Sequence, residues 1–166
     1  MKVHRGQHRF RTPLDFRYQF YPLPLASTVR CPKCRARCNF DGMVRESFVG
    51  DKQSGGSFLG TQSIEGNLSG KGSCTNCSHS FATVRWPDDA YFSVNVHGGI
   101  VWAWNPSYLA GLRARVAGDK VRQRQLALHN GDLHYFLARI PKQATVKRNR
   151  TGLLRTLDRW LKAESP

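Results

Sequence analysis

The chain has 166 residues with 40% apolar content, which suits one packed domain or a small module joined to a helical piece and excludes wholesale disorder. Twenty-six Lys and Arg stand against 11 acids, a formal charge of +15, so a polyanion such as nucleic acid is the expected partner class. No apolar run is long enough to cross a bilayer and no secretory signal is evident, so the expected setting is aqueous and reducing (cytoplasm, nucleoid or nucleus), with no membrane partner.

The charge is segregated. Residues 2–37 hold nine Lys/Arg against one acid, 38–112 four against six, and 113–162 thirteen against three. Residues 1–25 read as a basic and aromatic arm or edge strand. Arg5, Arg9 and Arg11 lie where there is little to bury, as in a solvated arm that meets phosphates. Phe16, Tyr18 and Phe20 alternate with Asp15, Arg17 and Gln19, which predicts a half-buried edge strand stopped by Pro22 and Pro24.

Next comes the stretch VRCPKCRARCNF, with Cys31, Cys34 and Cys38. Runs at 43–49 and 58–68, separated by the flexible GDKQSGGS, predict an extended hairpin. KGSCTNCSHS then supplies Cys74, Cys77 and His79. A Cys-x-x-Cys loop offers two thiolates in one tight turn, and two such loops facing each other close a tetrahedron around one ion.

AYFSVNV and IVWAW, joined by HGG, predict a β-hairpin over 91–104. Its inward face is expected to hold Tyr91 or Phe92 with Val94, Val96, Val101 and one tryptophan. The VWAW run reads as core before it reads as a base-stacking platform. Asn105 as N-cap, Pro106 at the first helical position and Gly118 past the end predict a helix whose stripe is Tyr108, Leu109, Leu112 and Val116. Residues 119–140 are ambiguous: Asn130–Gly131 is a hairpin signal, but a helix, a break there and one further helical turn is the favoured reading. In the last segment Leu153, Leu154, Leu157, Trp160 and Leu161 share one helical face, with Lys147, Arg148 and Arg150 packed ahead of it.

Residues 28–86, with two C-x-x-C pairs, an extended hairpin between them and aromatics after them, resemble the zinc-ribbon family. The resemblance implies one structural Zn2+ held by Cys31, Cys34, Cys74 and Cys77, bracing a small antiparallel sheet. Cys38 and His79 depart from the simple pattern. They are expected to be a partly buried thiol and a surface group respectively, because closed coordination by four cysteines leaves no further ligand position. Closed coordination also argues against catalysis at the metal.

The other catalytic candidates are thin. HNGDLH, with His129, Asp132 and His134, invites comparison with a metal-dependent nuclease but reads as polar turn residues. The expected fold class is α+β: a zinc-ribbon-type antiparallel β module over 26–104, extended by a β-hairpin, followed by a small basic helical segment over 105–166. The expected function is non-catalytic nucleic-acid binding, to DNA or RNA, within a larger nucleoprotein complex. Phosphate contacts are expected first from Lys147, Arg148 and Arg150, then Arg122 and Arg124, then Arg35, Arg37 and the arm arginines. The alternative is an adaptor that docks on protein subunits through Trp86, Trp102, Trp104 and Trp160.

Overall fold

The computed structural model describes residues 26–41, 67–138, 140 and 142–164. The arm with Arg5, Arg9 and Arg11, the aromatic alternation at 16–20 and the run at 43–49 lie outside the described residues.

The architecture is mixed α+β, with antiparallel sheets of four and two strands. Strands β1 (Ala26–Arg30), β2 (Arg37–Asp41), β3 (Asn67–Ser73) and β4 (Ser80–Arg85) form one sheet in chain order. In β2, Cys38 and Phe40 face inward while Arg37, Asn39 and Asp41 face solvent, the period-2 pattern of a half-buried strand. β2 and β3 pair from Asn39↔Ser73 to Asp41↔Lys71. Of the expected run at 58–68, only its last two residues fall in the described strand β3, which continues to Ser73.

Gly72 explains the middle of this sheet. It stands opposite Phe40 on one side and Phe81 on the other. The two rings stack across it, centroids 6.0 Å apart and 9° from parallel. A Cβ at residue 72 would lie 2.3 Å from the Phe81 ring. Glycine is required here because an aromatic ring occupies its side-chain space. Just before it the β3–β4 register shifts between Ser69 and Gly72, a bulge.

Strands β5 (Phe92–Val96) and β6 (Gly99–Ala103) form the expected hairpin, turning through His97 and Gly98. Phe92 and Val101 are buried on it, and both tryptophans rather than one are in the core. Trp86 stacks on Trp104 at 4.1 Å, and Trp102 meets both edge-on. The hairpin is tied to the free edge of β1. Thr28 N–H donates to Trp104 O at 2.7 Å, Arg30 N–H to Asp89 O at 2.8 Å, and Tyr91 N–H to Thr28 O at 3.0 Å. The Arg30 guanidinium adds bonds to the carbonyls of Tyr91 and Ser93.

Four α-helices follow: α1 (Pro106–Ala117), α2 (Lys120–His129), α3 (Gly131–Ala138) and α4 (Lys147–Glu164). The α1 caps are as expected. Asn105 accepts from the N–H groups of Ser107 and Tyr108, and Gly118 ends the helix at φ 79°, a left-handed conformation that glycine adopts at no steric cost. Tyr108, Leu109, Leu112 and Val116 are all buried. Asn130–Gly131 is a break between helices, not a hairpin turn, and α3 runs eight residues, longer than one turn. It closes against α1, where a Cβ on Gly111 would lie 2.6 Å from Leu133.

The helix α4 begins at Lys147 itself, so Lys147, Arg148 and Arg150 occupy its first turn rather than preceding it. No acid accompanies them there. Cations against the helix dipole cost about 0.3–1 kcal/mol each, whereas fully burying a leucine contributes about 1.5–3 kcal/mol. Leu153 and Leu157 are fully buried, and Leu154, Trp160 and Leu161 pack against the same core. Apolar packing therefore holds α4 despite its first turn.

We expect Gly72→Ala to destabilise the fold by about 1–3 kcal/mol in chemical denaturation, since the Phe81 ring must move or the strands must part. By contrast Gly131→Ala, where a Cβ meets nothing within 4 Å, should be neutral or stabilise by about 0.4–1 kcal/mol.

Candidate metal centre and basic surface

Each Cys-x-x-Cys pair begins at the turn of a hairpin, Cys31 and Cys34 between β1 and β2, Cys74 and Cys77 between β3 and β4. In an antiparallel meander alternate turns fall at the same end of the sheet, and the β2–β3 pairing sets these two side by side. The turns are built alike. Cys31 O accepts from Arg35 N–H at 2.9 Å and Cys31 N–H donates to Ala36 O at 2.8 Å. Cys74 O accepts from Ser78 N–H at 2.8 Å and Cys74 N–H donates to His79 O at 2.9 Å. In both, the fourth residue after the first cysteine is left-handed, Arg35 at φ 63° and Ser78 at φ 53°. Neither is glycine, so each turn holds a conformation that costs roughly 1 kcal/mol or more.

The four sulfur atoms all lie within 4.8 Å of one another. Cys31 and Cys77 are 3.7 Å apart, and Cys34 and Cys74 are 3.5 Å apart. A disulfide needs about 2.05 Å. A tetrahedral ion with metal–sulfur bonds of about 2.3 Å sets its ligands about 3.8 Å apart. The four thiols thus have the spacing of a metal shell and can hold one ion. Two of them, Cys31 and Cys74, are buried. The Cys34 thiol is held down to about 6, first by the Ala36 N–H and then by the Asn76 amide, which lies 3.6 Å from its sulfur.

Cys38 is a separate case. One step beyond the Asn39↔Ser73 pair, it lies beside the cluster without joining it. It is 3% exposed, its thiol faces Ala36 O at 3.6 Å, and burial pushes it up to about 12. It is a buried neutral thiol. His79 stands outside the cluster, half-buried, with its ring stacked on Phe81 at 6.1 Å.

The cations near this centre are partly engaged within the chain. Arg35 lies 3.8 Å from Asp89, a buried residue whose other oxygen accepts the Arg85 N–H. Arg37 pairs with Glu164 at 2.7 Å, joining β2 to the end of α4. Both are expected phosphate contacts from the sequence; both are exposed, and each faces an intrachain acid. Asp89 and Glu164 are remote in sequence from the arginines they meet, so no local signal announces these pairs.

On the helical side Arg150 is committed to the fold. Its guanidinium donates to Ala117 O, capping the C-terminal end of α1, and lies 3.3 Å from the point where Gly118 would carry a Cβ. Asn149 donates to His97 O and Gln143 O at 3.0 Å each, pinning the start of α4 to the β5–β6 turn. Arg113 pairs with Asp158 at 2.8 Å. Lys147, Arg148, Arg122 and Arg124 are all exposed. Arg122 makes a 3.5 Å contact with the Gln125 amide oxygen.

Among the described residues, the four thiols are the one group of three or more His, Cys, Asp or Glu whose ligand atoms converge to metal distance. His129, Asp132 and His134 do not. The His129 ring instead contacts Gln125 O at 2.9 Å, at the end of α2. Trp86, Trp102 and Trp104 are 3–4% exposed, which removes them from any aromatic docking surface. Trp160 is half-buried against Phe92. No described helix is long and apolar enough to cross a membrane. Comparison of the chain with protein-family models, with curated proteins and with solved structures finds no match.

Replacing any one of Cys31, Cys34, Cys74 or Cys77 with serine is expected to abolish stoichiometric metal binding and lower the melting temperature. Cys38→Ser should keep one ion per chain. Metal analysis of the purified variants, with thermal melts before and after chelation, checks both outcomes.

Proposed function

We propose that the four thiols hold one structural Zn2+ in a zinc-ribbon-type module, and that the protein is a non-catalytic nucleic-acid-binding protein. All-thiolate tetrahedral spacing suits zinc, and four protein ligands leave no position for substrate. When bound, the ion would neutralise the clustered thiolates and cross-link the two knuckles. The module's role is thus to fix geometry, and affinity comes from the basic surface.

The observation that carries this reading is the reach of the Arg150 guanidinium from α4 to the end of α1, which brings the basic start of α4 to the corner around Gly118. Arg150 binds the end of α1 there. Lys147 lies three residues before Arg150 on the same helix, so their side chains are neighbours about 5–6 Å apart at Cβ. Lys120 lies two residues after Gly118, within about 7.6 Å along the chain. Arg115, in the last turn of α1, is exposed close by. Two runs distant in sequence thereby form one positive corner. Asp119 adjoins it, but its carboxylate accepts the Arg122 N–H at 2.9 Å as the cap of α2. A cationic surface left this uncompensated is suited to phosphate.

The test is fluorescence anisotropy of the zinc-loaded protein with labelled duplex DNA, single-stranded DNA and structured RNA over a salt series. The variant of choice is Lys147→Ala with Arg148→Ala. Arg150 is left intact, because its loss would uncap α1. Wild-type affinity should fall linearly on a log–log plot against salt. The variant should bind more weakly, with a slope shallower by about 2 for two lost phosphate contacts. Absent binding to all three probes, or a slope unchanged by the substitutions, sinks the reading.

A further inference from the structure

We propose that α2 is a groove-reading helix that enters the major groove of duplex DNA, Arg124 and Gln125 facing base edges while the Gly118 corner grips the flanking backbone. This rests on the nucleic-acid reading above and deepens it.

The helix is unusual in what it lacks. None of its ten residues is fully buried, and its apolar anchoring is narrow, Leu126 packing half-buried against the core where an ordinary surface helix has a broad stripe. Polar bonds add to that hold. Asp119 caps its first turn, and the Gln123 amide donates to Asp119 O at 3.1 Å and Ala114 O at 3.4 Å. The two-residue turn at Gly118–Asp119 fixes its departure from α1. Gln123, Leu126 and Ala127 make the half-buried inner face.

The outer face is Val121, Arg124, Gln125 and Leu128, which share one side by i, i+3, i+4, i+7 spacing. Val121 is 67% exposed and Leu128 85% exposed. Arginine reads guanine and glutamine reads adenine through paired hydrogen bonds, and aliphatic side chains meet the thymine methyl. This face therefore carries base-reading chemistry rather than charge alone. Among the described residues the Gln125 amide oxygen is engaged only by the exposed 3.5 Å contact from Arg122, which a base edge can replace.

Dimensions agree with B-form DNA. A helix about 10–12 Å across fits a major groove about 12 Å wide. Ten residues extend about 15 Å, the rise of roughly four base pairs. The deep, narrow major groove of duplex RNA does not admit it. Charge favours an anionic partner for this face. Lys120 and Arg122 flank it, while its neighbouring acid, Asp119, serves as the helix cap.

The experiment uses the full zinc-loaded chain and a random-sequence duplex DNA pool, from which a preferred site is selected and compared with random duplex DNA, the same single strands and duplex RNA. Arg124→Ala and Gln125→Ala, both at exposed positions whose variants should keep the wild-type melt, are measured on each probe. We expect preference for duplex DNA over duplex RNA. Each substitution should cost about 5- to 150-fold on the selected site, with relaxed choice at one or two base pairs and a smaller loss on random duplex. Two results overturn the helix assignment alone: salt-dependent binding that Lys147→Ala with Arg148→Ala weakens but Arg124→Ala and Gln125→Ala leave unchanged, or a preference for duplex RNA. A Val121→Ser, Leu128→Ser variant that dissolves a self-associated species in sedimentation while binding DNA as before would mark a protein interface instead. No binding to any probe overturns the underlying reading as well.

Discussion

Four sulfur atoms within 4.8 Å of one another are the constraint on which the rest of this molecule depends. As thiolates they repel strongly at that separation, and a divalent cation reverses the sign of the interaction. What places them there is ordinary β geometry. Two hairpins turn at one end of a sheet, and each turn is closed by the same pair of backbone bonds around a left-handed residue. The strain at Arg35 and Ser78 is tolerable if the ion contributes several times its cost, as structural zinc does when it supplies folding free energy. The sheet by itself buries only a few large apolar side chains: Val29 on β1, Phe40 on β2, Leu68 on β3 and Val84 on β4.

From this end the structure builds outward through β1. Its free edge is closed by the backbone of 89–91 and by Trp104, so the second hairpin is fixed to the first sheet by main-chain bonds. Three tryptophans pack together there, Trp86 stacked on Trp104 and Trp102 edge-on to both. One continuous core then runs from Val29 and Phe40 through Trp102 to Leu112, Leu153 and Leu157. The Arg37–Glu164 pair closes the circuit by returning the end of α4 to β2.

The cations divide into two populations with different work. Arg30, Arg37, Arg113 and Arg150 hold elements together, each through carbonyls or an acid distant in sequence. Among those left exposed, Lys120 and Arg124 lie on α2 and Lys147 and Arg148 in the first turn of α4. The first of these helices has no fully buried residue, and the two together are the basis of the function proposed for the protein.

Local patterns in the chain were enough for much of this. The paired C-x-x-C spacings named the four clustered thiols, and Asn105, Pro106 and Gly118 bounded α1, because ligand loops and helix caps act over a few residues. The leucine stripe of α4 and the 91–104 hairpin were legible from periodicity and turn chemistry for the same reason. Contacts across long sequence separations were not. Only the folded chain decided that Gly72 makes room for the Phe81 ring, that Trp102 and Trp104 are both core, that Arg37 meets Glu164, and that Arg150 caps α1. Short-range rules of backbone and side-chain geometry are written residue by residue. Which arginine finds a carbonyl and which is left for solvent or a phosphate depends on how the elements pack.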